Sequence, residues 1–218
     1  MILSALQISL VVAGLSTAIV VVSGTWAGWL LSRVEFRGRE LVDALLNLPL
    51  VLPPTVTGYY LIVLLGRKGI LGAPLHRATG WSVTFTVAAC VIAGTVMAFP
   101  LMVRSARVAF EELDRRHEIA AASLGHSPLS TFFRVSLPLA RRGLTAGLIL
   151  AFARSLGEFG ATLMLAGNIP GRTQTLPLAI YEAMISGQDR TAQLLALLLT
   201  AVSVMVMISA GRLGRRNW

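Results

Sequence analysis

The stretch EIAAASLGHSPLSTFFRVSLP, residues 118–138, is modestly polar and lies between two long apolar runs. Its first half reads as a short helix from Glu118 to Leu124. Ala120, Ala121 and Ala122 are strong helix formers, and Gly125 stands where a left-handed residue ends a helix without side-chain cost. Ser127-Pro128 starts a second element, since proline is tolerated in a first helical turn. Phe132, Phe133, Val135 and Leu137 supply its apolar face, and Pro138 closes it. A small-residue helix followed by glycine leaves its backbone near the surface, a knob that another protein can grip. The same residues are equally compatible with a loop that folds back on its own helices.

On both sides of this stretch charge is scarce. Only 13% of the 218 residues are charged, 55% are hydrophobic, and the mean hydropathy is +0.74. A soluble domain carries about 25% charged residues, so the missing charge is the first sign of a membrane protein, and the long uncharged runs make it an all-α one. The net charge of +9 does not imply nucleic acid. The arginines sit in short loops, and a basic face interleaved with stacking aromatics is missing. The single cysteine, Cys90, lies in an apolar run, where it packs as a small hydrophobe.

Residues 1–32 carry no charge. At about 1.5 Å per residue, ~20 residues cross the hydrocarbon, so this run is one span. It has no positive leading region and is too long for a signal-peptide core, which makes it a retained span. Residues 44–66 are also uncharged but contain Pro49, Pro53 and Pro54. These predict a short entry helix near 41–48, a break, and a span from Pro54 to Leu65. Irregular backbone at membrane depth survives only against protein or a wet cavity, which makes Pro53, Pro54 and Thr55 candidates for a pathway or gate. A plain helix-start role for Pro54 fits as well. Residues 67–81 read as a polar link.

The full set of expected spans is about 4–32, 50–66, 82–104, 142–166 and 190–211, one transmembrane domain over residues 4–211. The loop 112–138 separates the third span from the fourth. The fourth is rich in small residues, which let helices approach closely in lipid. LPLAIYEAMI, within 167–190, is too short for a span and reads as a helix lying on the membrane or dipping into it. Arg33, Arg37 and Arg39, seven arginines between 104 and 142, and three in the tail fall on one side; Arg67, Lys68, Arg77, Arg172 and Arg190 fall on the other. The positive-inside rule then puts the N-terminus outside, the C-terminus inside and the 118–138 loop in the cytoplasm.

No GxxxxGK[ST] phosphate-binding loop occurs, so the chain lacks that ATPase machinery. His76, His117 and His126 show no metal-ligand spacing, and no Ser-His-Asp set or HExxH is present. The charged pair within a span is Arg154 and Glu158, four residues apart and hence on one face of a helix. Each charge costs about 2.5–3.5 kcal/mol at a helix centre, more than a local pair returns, so the site is wet or completed by other groups. A buried clamp and an element of a conduit or gate both satisfy that condition.

With these residues in place, a resemblance becomes visible. Ala120-Ala121, Gly125 and Pro138 keep the spacing of the EAA loop of ATP-binding-cassette importer permeases, with Glu118 one place earlier than the usual acidic position. LPLVLPPTVTGYYL (48–61), FPLMVRSAR (99–107) and LAFARSLGEFGATLMLAGNIPGRTQTLPLAIY (150–181) resemble bacterial molybdate importer permeases over nearly the whole chain. Sulfate and thiosulfate permeases share several of these patches. The resemblance implies the type I importer fold in the inner membrane, with Glu118, Ala120, Ala121, Gly125 and Pro138 forming the loop that couples to an ATPase. It further implies a homodimer, two ATP-binding subunits that use ATP and Mg, and a periplasmic or lipid-anchored molybdate-binding protein. Tungstate would accompany molybdate as cargo. The chain itself would bind no cofactor or metal and catalyse no reaction. A stand-alone carrier is the reading from outside this family.

Overall fold

The uncharged runs become the long helices, and small residues decide how those helices meet. The structure is a computed structural model that describes residues 2–215. The end of the basic tail, 216–218, lies outside the described residues. Regular structure among the described residues is entirely helical.

Three long helices build the core: α1 (Ile2–Arg33), α5 (Val87–Glu111) and α8 (Leu137–Leu156). Gly28 of α1 lies so close to α5 that an added Cβ would sit 2.6 Å from the Ala106 Cβ and 2.8 Å from the Arg107 backbone nitrogen. Gly147 brings α8 equally close to Met102 and Ser105. Ser16 Oγ donates to the Val91 carbonyl at 2.9 Å, and Ser155 Oγ to the Gly94 carbonyl at 3.3 Å, so hydroxyls tie both partners to α5. Burying apolar area gives no drive to associate in lipid, and this backbone-close packing supplies the attraction instead. Met97, Met102, Val103 and Phe110 of α5 are fully enclosed.

The second uncharged run is broken where its prolines predict. Helices α2 (Arg39–Val51) and α3 (Pro54–Leu65) meet at a 116° bend around Leu52-Pro53. Counting that pair as one, up to five segments among the described residues are long and apolar enough to cross a membrane, the other four being α1, α5, the helix through α8 and α11 (Asp189–Arg215). The polar link at 67–81 contains a short helix, α4 (Gly72–Thr79), which ends at Gly80 with φ +70°.

The third and fourth spans depart from the boundaries expected. Helix α5 begins at Val87, after Thr86 caps it by accepting from the Ala89 N–H, and runs on to Glu111 because Arg107 pairs with Glu111 one turn later at 2.8 Å. The fourth span is not continuous to 166. It stops at Leu156, breaks over 157–159, and resumes as α9 (Gly160–Ala166). Helix α10 (Leu176–Ile185) packs against α1 and α11, and the Leu176 N–H donates to Ser9 Oγ at 2.7 Å, so its start is seated in the bundle.

Candidate functional site

Two places bring the singled-out residues together. The first is a projection at the arginine-rich end of the bundle, between α5 and α8. Helix α6 (Arg116–Ser123) starts where Asp114 Oδ1 accepts from the Arg116 N–H at 2.9 Å. It ends in a Schellman motif: Gly125 has φ +84°, the His126 N–H reaches the Ala121 carbonyl at 3.1 Å, and the Gly125 N–H reaches that of Ala122 at 3.0 Å. Helix α7 (Pro128–Thr131) follows, capped by Ser127. A π-turn over Phe132–Ser136 then leads into α8.

Pro138 does not close this element. The helical path continues through it to Leu156. Proline clashes with the carbonyl four residues back and cannot donate to it, and the widened turn just before Pro138 accommodates that defect. The apolar face differs too: Phe132 is buried, but Phe133 is 57% exposed.

Helix α6 has two faces. Glu118 and Ala121 turn toward the bundle, Ala121 being only 6% exposed. Ile119, Ala120, Ser123 and Leu124 turn outward, with Leu124 81% exposed. The adjacent alanines therefore do different jobs: Ala120 is presented and Ala121 is packed. Glu118 Oε1 accepts from Arg33 Nε at 3.2 Å, Arg33 Nη2 at 3.0 Å and Ser136 Oγ at 2.6 Å. Arg33 and Ser136 carry no motif, and Arg33 lies 85 residues away in sequence, so no local signal points to either.

The second place is the junction of the two helix breaks. A Cβ on Gly160 would lie 2.8 Å from the Pro54 Cβ and 3.2 Å from the Thr55 nitrogen. Gly58 of α3 is equally tight against Ala161 and Met164 of α9. Pro53 caps α3 by accepting from the Val56 and Thr57 N–H groups. Pro53, Pro54 and Thr55 all face outward from the single chain.

Arg154 and Glu158 meet at this junction, Nη1 to Oε2 at 2.6 Å. They are not on one helix face, because α8 has ended by Leu156. The carboxylate lies in the break and its other oxygen accepts from the Ala161 N–H at 2.8 Å, at the start of α9. Its side chain is 2% exposed, against 26% for the Arg154 side chain. The carboxylate is thus completed by a backbone donor, while the guanidinium is partly open at the surface of the single chain.

Comparison with known proteins agrees with this architecture. Residues 6–218 match the family described as binding-protein-dependent transport system inner membrane component. The chain is 42% identical to the molybdenum transport system permease protein ModB of Haemophilus influenzae, covering 94% of this chain and 91% of that one. It is 42% identical to ModB of Escherichia coli K12, covering 94% and 90%. It is 44% identical to the putative molybdenum transport system permease protein YvgM of Bacillus subtilis, covering 92% and 88%. Among solved structures, it superimposes on the inward-facing MetNI methionine ABC transporter with TM-score 0.77 at 19% identity, over 99% of this chain and 95% of that chain. A bacterial ABC transporter that imports alginate gives 0.79 at 14%, over 99% and 79%. Those last two likenesses speak for the fold. The chain belongs to the family of binding-protein-dependent transport system inner membrane components, and is a multi-pass, non-catalytic permease subunit with the type I ABC importer fold.

Proposed function

We propose that this chain is the permease subunit of an ATP-driven importer of molybdate, and that tungstate is carried with it. One observation carries the cargo assignment: identity above 40% to molybdenum permeases over more than nine-tenths of the chain. Two copies would enclose a central pathway, with the outward-facing break at Pro53, Pro54 and Thr55 toward the partner copy. The uneven distribution of arginine supports an N-terminus outside and α6 in the cytoplasm.

Two ATP-binding subunits, which use the ATP and Mg, would seat the Ile119–Leu124 face of α6. ATP binding then shifts that helix and opens the bundle outward, where a binding protein delivers the oxyanion; reopening of the motor releases it inward. Arg154 is a natural contact for an anion on the way, but it is already neutralised by Glu158 at 2.6 Å. A paired guanidinium favours passage over tight capture, so selection falls to the binding protein.

The test is uptake of radiolabelled molybdate into liposomes that hold the permease with its ATP-binding subunits and binding protein. Uptake should require ATP, and tungstate should compete far better than sulfate. Preferential uptake of sulfate would make this a sulfate permease. Flux without any ATP-binding subunit would make it a stand-alone carrier.

A further inference from the structure

We infer that Glu118 is a positioning residue: its carboxylate fastens the coupling helix α6 to the end of α1, so that both move as one body. The role in transport rests on the reading above; the fastening itself does not. The three donors to Glu118 Oε1 are Arg33 Nε, Arg33 Nη2 and Ser136 Oγ, from α1 and the π-turn. Arg33 is 12% exposed and Glu118 22%, so the pair is largely withdrawn from solvent and keeps the strength of a charge-assisted bond.

A second, apolar joint lies beside it. The Phe132 ring packs on Trp29 at 5.0 Å, Trp26 at 5.5 Å and Phe110 at 6.0 Å. Trp29 and Arg33 are one turn apart on α1, and Phe132 and Ser136 are four apart on the π-turn. Each element therefore offers one ring and one polar group to the same seam. A force on α6 reaches α1 through this seam as well as α8 through the chain. The same geometry turns Glu118 Oε1 away from the Ile119–Leu124 face and toward α1 of the permease itself.

Two readouts test this. In a Cys90→Ser background, spin labels at Arg116→Cys on α6 and Leu30→Cys on α1 report their separation in the isolated permease. One narrow distance distribution is expected. It should broaden in Glu118→Gln and in Arg33→Gln, and narrow again when Arg33→Glu and Glu118→Arg are combined. In the reconstituted complex, each single variant should lower molybdate uptake per ATP hydrolysed by on the order of tenfold, and the exchanged pair should recover most of it. Distributions that stay narrow in both single variants would overturn the fastening. So would an uptake defect in Glu118→Gln that is absent in Arg33→Gln, since Glu118 would then be acting on the ATPase. If the unaltered complex moves no molybdate, the transport reading fails while the distance measurement still judges the joint.

Discussion

Glu158 is nearly sealed from solvent and Arg154 is not, and this asymmetry makes the two residues unequal under mutation. Arg154→Gln strands a buried carboxylate with only the Ala161 N–H to stabilise it. Glu158→Gln keeps an acceptor for that N–H and leaves a guanidinium that is partly open at the chain surface. Breaking a buried pair costs about 3–5 kcal/mol when the survivor cannot hydrate. Thermal unfolding in detergent should therefore show Arg154→Gln losing about 3 kcal/mol and Glu158→Gln about 1 kcal/mol. The reverse order would mean that the carboxylate has water access after all. Gly125 offers a cleaner case. Nothing lies within 4 Å of where its Cβ would be, so only its φ of +84° is at stake. Gly125→Val should cost about 1–2 kcal/mol of α6 ordering and weaken ATPase capture in co-purification, while Gly125→Asn, which tolerates the left-handed region, should stay near the parent.

At the scale of elements, composition and proline placement carry most of the architecture. The Leu52-Pro53 break, the short helix ended by Gly125 and the apolar length of α1 and α11 all follow from residue types in order. The break at 157–159 does not. Gly157 and Gly160 lie in a stretch already rich in small residues, and a glycine that ends a helix looks the same in sequence as one that lets helices touch. Contact distances separate the two roles. Gly28 meets α5 backbone, whereas Gly14 of the same helix has nothing within 4 Å. Gly28→Leu should therefore push α1 off α5 and cost about 1–3 kcal/mol or more of stability, while Gly14→Leu should leave the melting temperature unchanged. Equal effects would mean that α1 and α5 are not packed through that glycine.

Over the whole molecule, the tight α1–α5–α8 core contrasts with elements that a single chain leaves uncovered. Helix α2 has no buried residue and is held to α5 by the ion pairs Arg107 with Asp43 and Arg39 with Glu111. Exposed ion pairs of this kind contribute about 0–1 kcal/mol each, so α2 is lightly tethered compared with the glycine-packed helices. Helix α11 exposes Leu194, Leu197, Met205 and Ile208, a surface suited to lipid or another apolar chain. Orientation belongs to this scale. In a Cys90→Ser background, an impermeant maleimide should label Leu71→Cys on intact cells. It should reach Leu124→Cys only after permeabilisation, and less when the ATP-binding subunits are present. Labelling of Leu124→Cys on intact cells would invert the topology.

What the residues alone determine is the membrane class, the broken second span, the side on which arginine accumulates and the outline of the short helix α6. Each depends on local chemistry: missing charge, a proline without its N–H, a glycine with positive φ. Only the tertiary structure decides which alanine of α6 faces out, that Arg154 meets Glu158 across a helix break, and that Glu118 closes onto Arg33. Those outcomes depend on which elements touch, and a contact between positions 33 and 118 is set by the packing of the whole bundle, not by either residue's neighbours in the chain.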